Sequence, residues 1–323
     1  MSDQQPFDPS RPPHRSVRQR YAEAFKENGN LIGLATAAAL SIATFNPIPL
    51  LVGIVGEVAY LLFVPDSAWF TKRLDAKFDA EVVARRQALK AQVLPQVRPD
   101  VATQFDRLER VRDQIQNQAQ AEQPWFREAL RKLDYLLEKY LQFAQKESWF
   151  CEYLDSLLQE ISGDLSMDRR KTLSRVDVRV QRPPSIGSYS SPSRGYIEPT
   201  DQWVDGVVGV IKGHYEDENA KLAERMETEQ VYATKAILQK RQEILNRRHE
   251  YVGKIAEILS NLGHQMALMA DTFGLINDEI RARSPEQVLA DIDEVVIQTN
   301  SMTEAIEAMT PLEDLVTSQP ITS

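Results

Sequence analysis

Hydrophobic residues follow three different patterns along this chain, and each predicts a different kind of element. From Leu31 to Val64 they are nearly continuous, and only Glu57 would carry charge at neutral pH. After Trp69 they thin into stripes at three- and four-residue spacing, the repeat of a helix with one apolar face. Between Gln181 and Pro199 (QRPPSIGSYSSPSRGYIEP) they nearly vanish, and Pro, Ser and Gly take over as in a linker.

The continuous run divides at Asn46-Pro47-Ile48-Pro49. Two prolines fix backbone angles and remove N–H donors, so one straight helix through this point is not expected. The reading is a hairpin of two helices, about 31–45 and 49–64. Each arm is roughly 22–25 Å long at 1.5 Å per residue, short of the roughly 30 Å hydrocarbon core of a bilayer. A thin spanning hairpin, a re-entrant hairpin dipping into one leaflet, and a hairpin buried in protein all remain open. The membrane-contacting set is Leu31, Leu34, Leu40, Phe45, Pro47, Pro49, Leu51, Val55, Glu57, Tyr60, Leu62 and Trp69, with Tyr60, Trp69 and Phe70 suited to an interfacial aromatic anchor. Small residues on the first arm (Gly33, Ala35, Ala37, Ala38, Ala39, Ser41, Ala43) permit close approach, and Gly53 and Gly56 offer the matching surface. Glu57 is costly in lipid unless it is protonated, faces the other arm or reaches water. Internal prolines and the length of the run set it apart from a signal peptide.

Helical stripes follow. Leu74, Phe78, Val82 and Leu89 mark one, and Val101, Phe105, Leu108 and Ile115 another. From Leu130 to Ile161 a 3-4 alternation is broken only by Glu147, with Cys151 on the same seam. The strictest repeat is Leu245, Arg248, Val252, Ile255, Leu259, Leu262, Met266, Met269, Phe273, Ile276 and Ile280, which predicts a coiled-coil seam. No proline lies between Thr200 and Ser284, so this helix is free to extend upstream to about Asp201, with Gly206, Gly209, Gly213 and Gly253 as possible breaks. Ser284-Pro285 reads as a helix start, and Val288 to Met309 repeats the heptad, so an antiparallel hairpin against Leu245–Ile280 is expected. Val176-Asp-Val178-Arg-Val180 alternates like a strand; with no evident partner it reads as a frayed helix end or extended linker.

The fold class expected is therefore all-α. Residues 1–30 form a basic lead-in, with Arg15–Glu27 able to form a short amphipathic helix. Residues 31–64 form the apolar hairpin, 65–180 a helical bundle, 181–199 the linker, 200–311 the coiled-coil helices and 312–323 a tail. Scarce glycine and abundant Ala, Leu, Glu, Gln and Arg agree with long helices.

Charge refines the picture. The net charge of −9 is concentrated after Arg283, where no Lys or Arg occurs. The acidic last helix calls for a basic counterpart, and Lys235–Lys254 or Arg169–Arg182 would supply one. Arg11, Arg15, Arg18, Arg20 and Lys26 precede the hairpin, and Lys72, Arg73, Lys77, Arg85, Arg86 and Lys90 follow it. Basic flanks on both sides place both termini in the cytoplasm. The single cysteine, Cys151, excludes an intrachain disulfide and suits a reducing compartment.

Chemistry is sparse. His14, His214, His249 and His264 show no metal-ligand spacing, and the stretch His214-Tyr-Glu216-Asp217-Glu218 points its side chains in different directions on a helix. No phosphate-binding loop, dinucleotide fingerprint or nucleophile elbow occurs. The basic run Met167–Arg182 lacks interleaved aromatics, so nucleic acid is not an expected partner. No catalytic residue, cofactor, metal or small-molecule substrate is implied. The function expected is a membrane-anchored coiled-coil scaffold at the cytoplasmic face, with lipid and a protein partner (or a second copy) as its contacts. The alternative is a pore-forming or membrane-remodelling protein that inserts the 31–64 hairpin.

Overall fold

Proline, serine and threonine mark where the helices start, because their backbone and side-chain chemistry suits a first helical turn. A computed structural model describes residues 28–45, 47–48, 51–56, 67–118, 124–163, 179–180, 196–197, 199–279 and 284–309. The described residues are overwhelmingly helical. They belong to two compact units, Met1–Gln87 and Ala88–Ser323.

In the first unit, α1 (Asn28–Thr44) is followed by a turn and by helical residues 51–56. Helix α2 (Ala68–Val93) begins here and ends in the second unit. Ser67 caps it, its Oγ accepting the Phe70 N–H at 3.3 Å. Phe70 is buried, so it is not an interfacial anchor: the capped first turn directs its ring into protein.

The second unit contains α3 (Pro99–Gln118), α4 (Pro124–Ile161), α5 (Asp201–Thr228), α6 (Tyr232–Glu279) and α7 (Pro285–Glu307). Pro99, Pro124 and Pro285 each occupy a first helical position, where no N–H is needed. Thr200 caps α5, accepting the Trp203 N–H at 3.2 Å.

Helix α4 lies at the centre, packed against α3, α5, α6 and α7. Its expected seam is buried at Leu133, Leu137, Tyr140, Ala144, Cys151 and Leu154, but so are Phe126, Leu136, Leu141, Phe143 and Phe150 on its other sides. Each such side chain contributes about 1.5–3 kcal/mol on leaving water. Glu147, the residue that breaks the stripe, is buried beside Arg98 at 3.5 Å. Together with Arg112–Asp134 at 2.8 Å and the Ser148 hydroxyl donating to the Gln96 carbonyl at 3.1 Å, this pair shows α3 running antiparallel to α4.

Four sequence expectations change in the second unit. The stretch from Asp201 to Glu279 is two helices, broken at residues 229–231 and not at any glycine. Thr228 Oγ1 turns back onto the Arg225 carbonyl (3.1 Å), Glu229 leaves helical angles at ψ 126°, and its carboxylate accepts the Val231 N–H at 2.8 Å. Local side-chain bonds of this kind compete with the helical ladder. Helix α6 then runs back along α5, with Glu216 facing His249 and Asn219 facing Asn246.

The strict heptad stripe of α6 is buried from Val252 to Ile276, but α6 packs against α3, α4, α5 and α7. Its stripe faces a multi-helix core, not a single coiled-coil partner. Leu245 and Arg248 are half-buried at its margin, and Ile280 lies outside the described residues. Helix α7 also packs on α6, where Gln265 donates to Thr299 Oγ1 at 3.0 Å.

The acidic helix α7 takes counterparts from α4. Asp293 pairs with Lys132 at 2.5 Å, and the Tyr135 hydroxyl donates to Asn300. In the basic stretch beginning at Lys235, described ion pairs go to α4, α5 and α6, as in Arg248–Glu160, Arg241–Glu218, Lys240–Glu243 and Arg247–Glu243. Finally, the alternating stretch ending at Val180 has a partner after all: Arg179–Val180 pairs antiparallel with Tyr196–Ile197 from the far side of the linker. Linker residues 181–195 and 198, the run 169–178 and residues 312–323 lie outside the described residues, as do residues 1–27, which include Arg15–Glu27.

Candidate functional site

The uncovered apolar surface of the first unit starts from sequence: α1 carries no charged side chain along its 17 residues. Its small residues let the returning segment come close. A methyl group built on Gly53 would lie only 2.7 Å from Ala37 Cβ, so the two segments nearly touch there. Gly56 makes no such approach. The pairing surface therefore centres on Ala37 and Gly53, with half-buried Ala38 and Ser41 beside it.

Everything else described on the hairpin faces outward. Phe45 is 96% exposed, Ile42 74% and Val55 69%. Leu40, Ile48, Leu51, Val52 and Ile54 are exposed as well, and so is Pro47. Successive helical residues point about 100° apart. Leu51, Val52, Ile54 and Val55 therefore cover the side of the helix turned away from Gly53, which meets Ala37. Patches of this kind mark a binding surface, because soluble proteins keep contiguous exposed apolar area small.

Two backbone donors that flank the turn are paired within the hairpin. Pro47 and Pro49 have no backbone N–H. Phe45 N–H donates to the Ile42 carbonyl at 3.3 Å and Leu51 N–H to the Pro47 carbonyl at 3.1 Å. The Thr44 hydroxyl returns to the Leu40 carbonyl at 2.7 Å. Phe45 adopts φ 47°, a left-handed conformation that bulky residues avoid.

Of the residues expected from sequence to contact membrane, Leu40, Phe45, Pro47, Leu51 and Val55 are gathered on the exposed hairpin. Leu31 and Leu34 lie on α1 and Trp69 on the first turn of α2, their side chains outside the described residues. Pro49, Glu57, Tyr60 and Leu62 also fall outside them. No helix among the described residues is long and apolar enough to cross a membrane.

A second exposed apolar group has no counterpart among the sequence expectations. Val231, Tyr232 and Ile237 stand in solvent at the α5–α6 turn. Read as the middle of one long helix, these residues give no sign of sitting at a tip. The acidic stretch after His214 gathers no shared ligand: Glu216 meets His249 at 3.1 Å, while Glu218 accepts from Lys221 at 2.9 Å. The Lys221 hydrogen bond, ahead of opposing burial, lowers the Glu218 pKa below the usual carboxylate value. Among the described residues no group of three or more His, Cys, Asp or Glu side chains is placed to hold a metal ion.

Comparison with protein-family models, with curated proteins and with solved structures finds no match.

Proposed function

We propose that this chain is a membrane-attached helical scaffold, fixed to the bilayer by its 31–64 hairpin and presenting the 88–323 bundle to a protein partner at the cytoplasmic face. The observation that carries the reading is the joint exposure of Leu40, Ile42, Phe45, Ile48, Leu51, Val52, Ile54 and Val55 on one hairpin. A helix that docks in a protein groove needs one apolar face and keeps the others polar. Acyl chains reward apolar side chains wherever they point, whereas a groove covers one face. Basic residues on both sides of the hairpin favour both termini remaining cytoplasmic. The exposed Val231, Tyr232 and Ile237 supply a surface on the bundle for the partner.

Flotation on a density gradient tests the anchor. Full-length protein should rise with membranes and resist extraction by salt, whereas protein lacking residues 31–64 should stay in the soluble fraction. Full-length protein that remains at the bottom of the gradient removes the anchor from the proposal.

A further inference from the structure

We infer that the outer half of the α5–α6 hairpin is a self-association surface, on which the same hairpin of a second copy packs about a two-fold axis along its length. This rests on the reading that the exposed Val231, Tyr232 and Ile237 receive a protein partner, and it names that partner. Ile237, Ile244 and Tyr251 recur every seven residues on α6 and so share one face. At the base of this stripe Tyr251 is buried, its ring 5.7 Å from that of Tyr153 on α4. One turn nearer the tip, Arg248 meets Glu160 of α4 at 3.6 Å. Helix α4 then ends at Ile161, and the stripe runs on without it. Ile244 is half-buried and Ile237 is 69% exposed. From residue 223 to residue 250 none is buried, so α5 and α6 leave the bundle as a two-helix arm. Its α6 side, residues 232–248, is roughly 25 Å long at 1.5 Å per residue.

Charge says what fits there. Residues 216–229, the end of α5 and its cap, hold six acids and two bases, whereas residues 232–248 of α6 hold five bases and one acid. Each helix thus attracts the other, as Arg241 reaches Glu218 at 3.4 Å, and the arm as a whole is close to neutral. A second arm turned through the two-fold axis sets its α5 beside this α6 and its α6 beside this α5. Every lateral contact then joins opposite charges, in the up-and-down order of a four-helix bundle. The same operation brings Ile237 and Ile244 against their own copies across the axis, and the stripe becomes core. A foreign helix of either sign would be repelled by one of the arm's two helices.

Full-length protein in a non-denaturing detergent, carrying Ile237→Cys or Gln239→Cys, tests this by reaction with a short bifunctional thiol cross-linker. Cys151 is buried, and the unsubstituted protein gives the blank. Gln239 is exposed and lies about 200° round the helix from Ile237. Covalent dimer should form at 237 several times more readily than at 239, and its yield should fall on dilution. Ile237→Asp should convert the non-covalent dimer, followed by light scattering, to monomer. Because Ile237 is exposed, the helical melt of that variant should be unchanged. Equal cross-linking at 237 and 239, a protein that stays monomeric, or a dimer untouched by Ile237→Asp overturns the inference, whatever other molecule covers the stripe. None of these results touches the anchor if the protein still floats with membranes. Cross-linking at 237 in a protein that fails to float supports the inference and removes the anchor alone.

Discussion

Individual side chains divide here into those that hold the bundle and those that would leave water for lipid. Under the proposed membrane anchor, Phe45 belongs to the second group. A bulky residue with a left-handed backbone costs roughly 1–2 kcal/mol, which asparagine largely avoids. Phe45→Asn should therefore ease the turn and yet weaken vesicle binding by roughly tenfold or more, since burying a phenylalanine is worth about 1.5–3 kcal/mol. A vesicle co-sedimentation titration reads the change. Asp134 belongs to the first group. Its carboxylate takes both arms of the Arg112 guanidinium at 2.8 and 2.9 Å, and both side chains are largely buried. Burial alone would lower the Arg112 pKa, but the hydrogen bond and charge of Asp134 outweigh it and leave the pKa raised. Asp134→Ala should cost roughly 3 kcal/mol in urea unfolding by stranding that cation. Replacing both partners by leucine should recover most of the loss, because two apolar groups strand nothing.

Elements were legible in the sequence wherever one face told the story. The stripes Val101–Ile115 and Val252–Ile276 are buried along nearly their whole length, and Ser284-Pro285 begins a helix. Helix α4 was legible only in part, because a single seam describes a helix with one buried face and α4 has neighbours on several sides. Its additional Phe126, Leu136, Leu141, Phe143 and Phe150 were the available signal. The break at residues 229–231 left no proline or glycine to find, since Thr228 and Glu229 end the helix through their own side chains. A partner of the acidic last helix was missed for a related reason: charge blocks suggested a long basic run, while a described contact comes from the buried Lys132 of α4. In the hairpin, the small-residue pattern did locate the close approach at Gly53. Gly53→Val should push the two arms apart, lowering cross-linking between cysteines placed on them. Adding Ala37→Gly should restore part of the signal, because the displaced methyl is then gone from the opposite side.

As a whole molecule, the chain should come apart along its two units. A fragment covering residues 88–323 should remain helical by circular dichroism and melt cooperatively, because its core is built from its own helices. High pH should undo that core. Burial, followed by the nearby charges of Glu138 and Glu307, pushes the Tyr135 hydroxyl from 10.0 up to about 12. Tyr140, Tyr153 and Tyr215 are also raised, burial being the main cause. A phenol that resists ionisation only when folded stabilises the fold fully below its unfolded pKa. That stabilisation fades as pH climbs through the folded value. Stability should therefore be level at neutral pH and fall between about pH 10 and 12, with tyrosinate absorbance rising in step with loss of helicity. The central place of α4 has one more consequence, in the order of synthesis. Of the helices that enclose it, only α3 precedes it in the chain, so a nascent α4 leaves the ribosome with most of its greasy surface unclaimed until α6 and α7 emerge. Such delayed, long-range closure slows folding and exposes sticky intermediates, which makes the growing chain a natural client for chaperones.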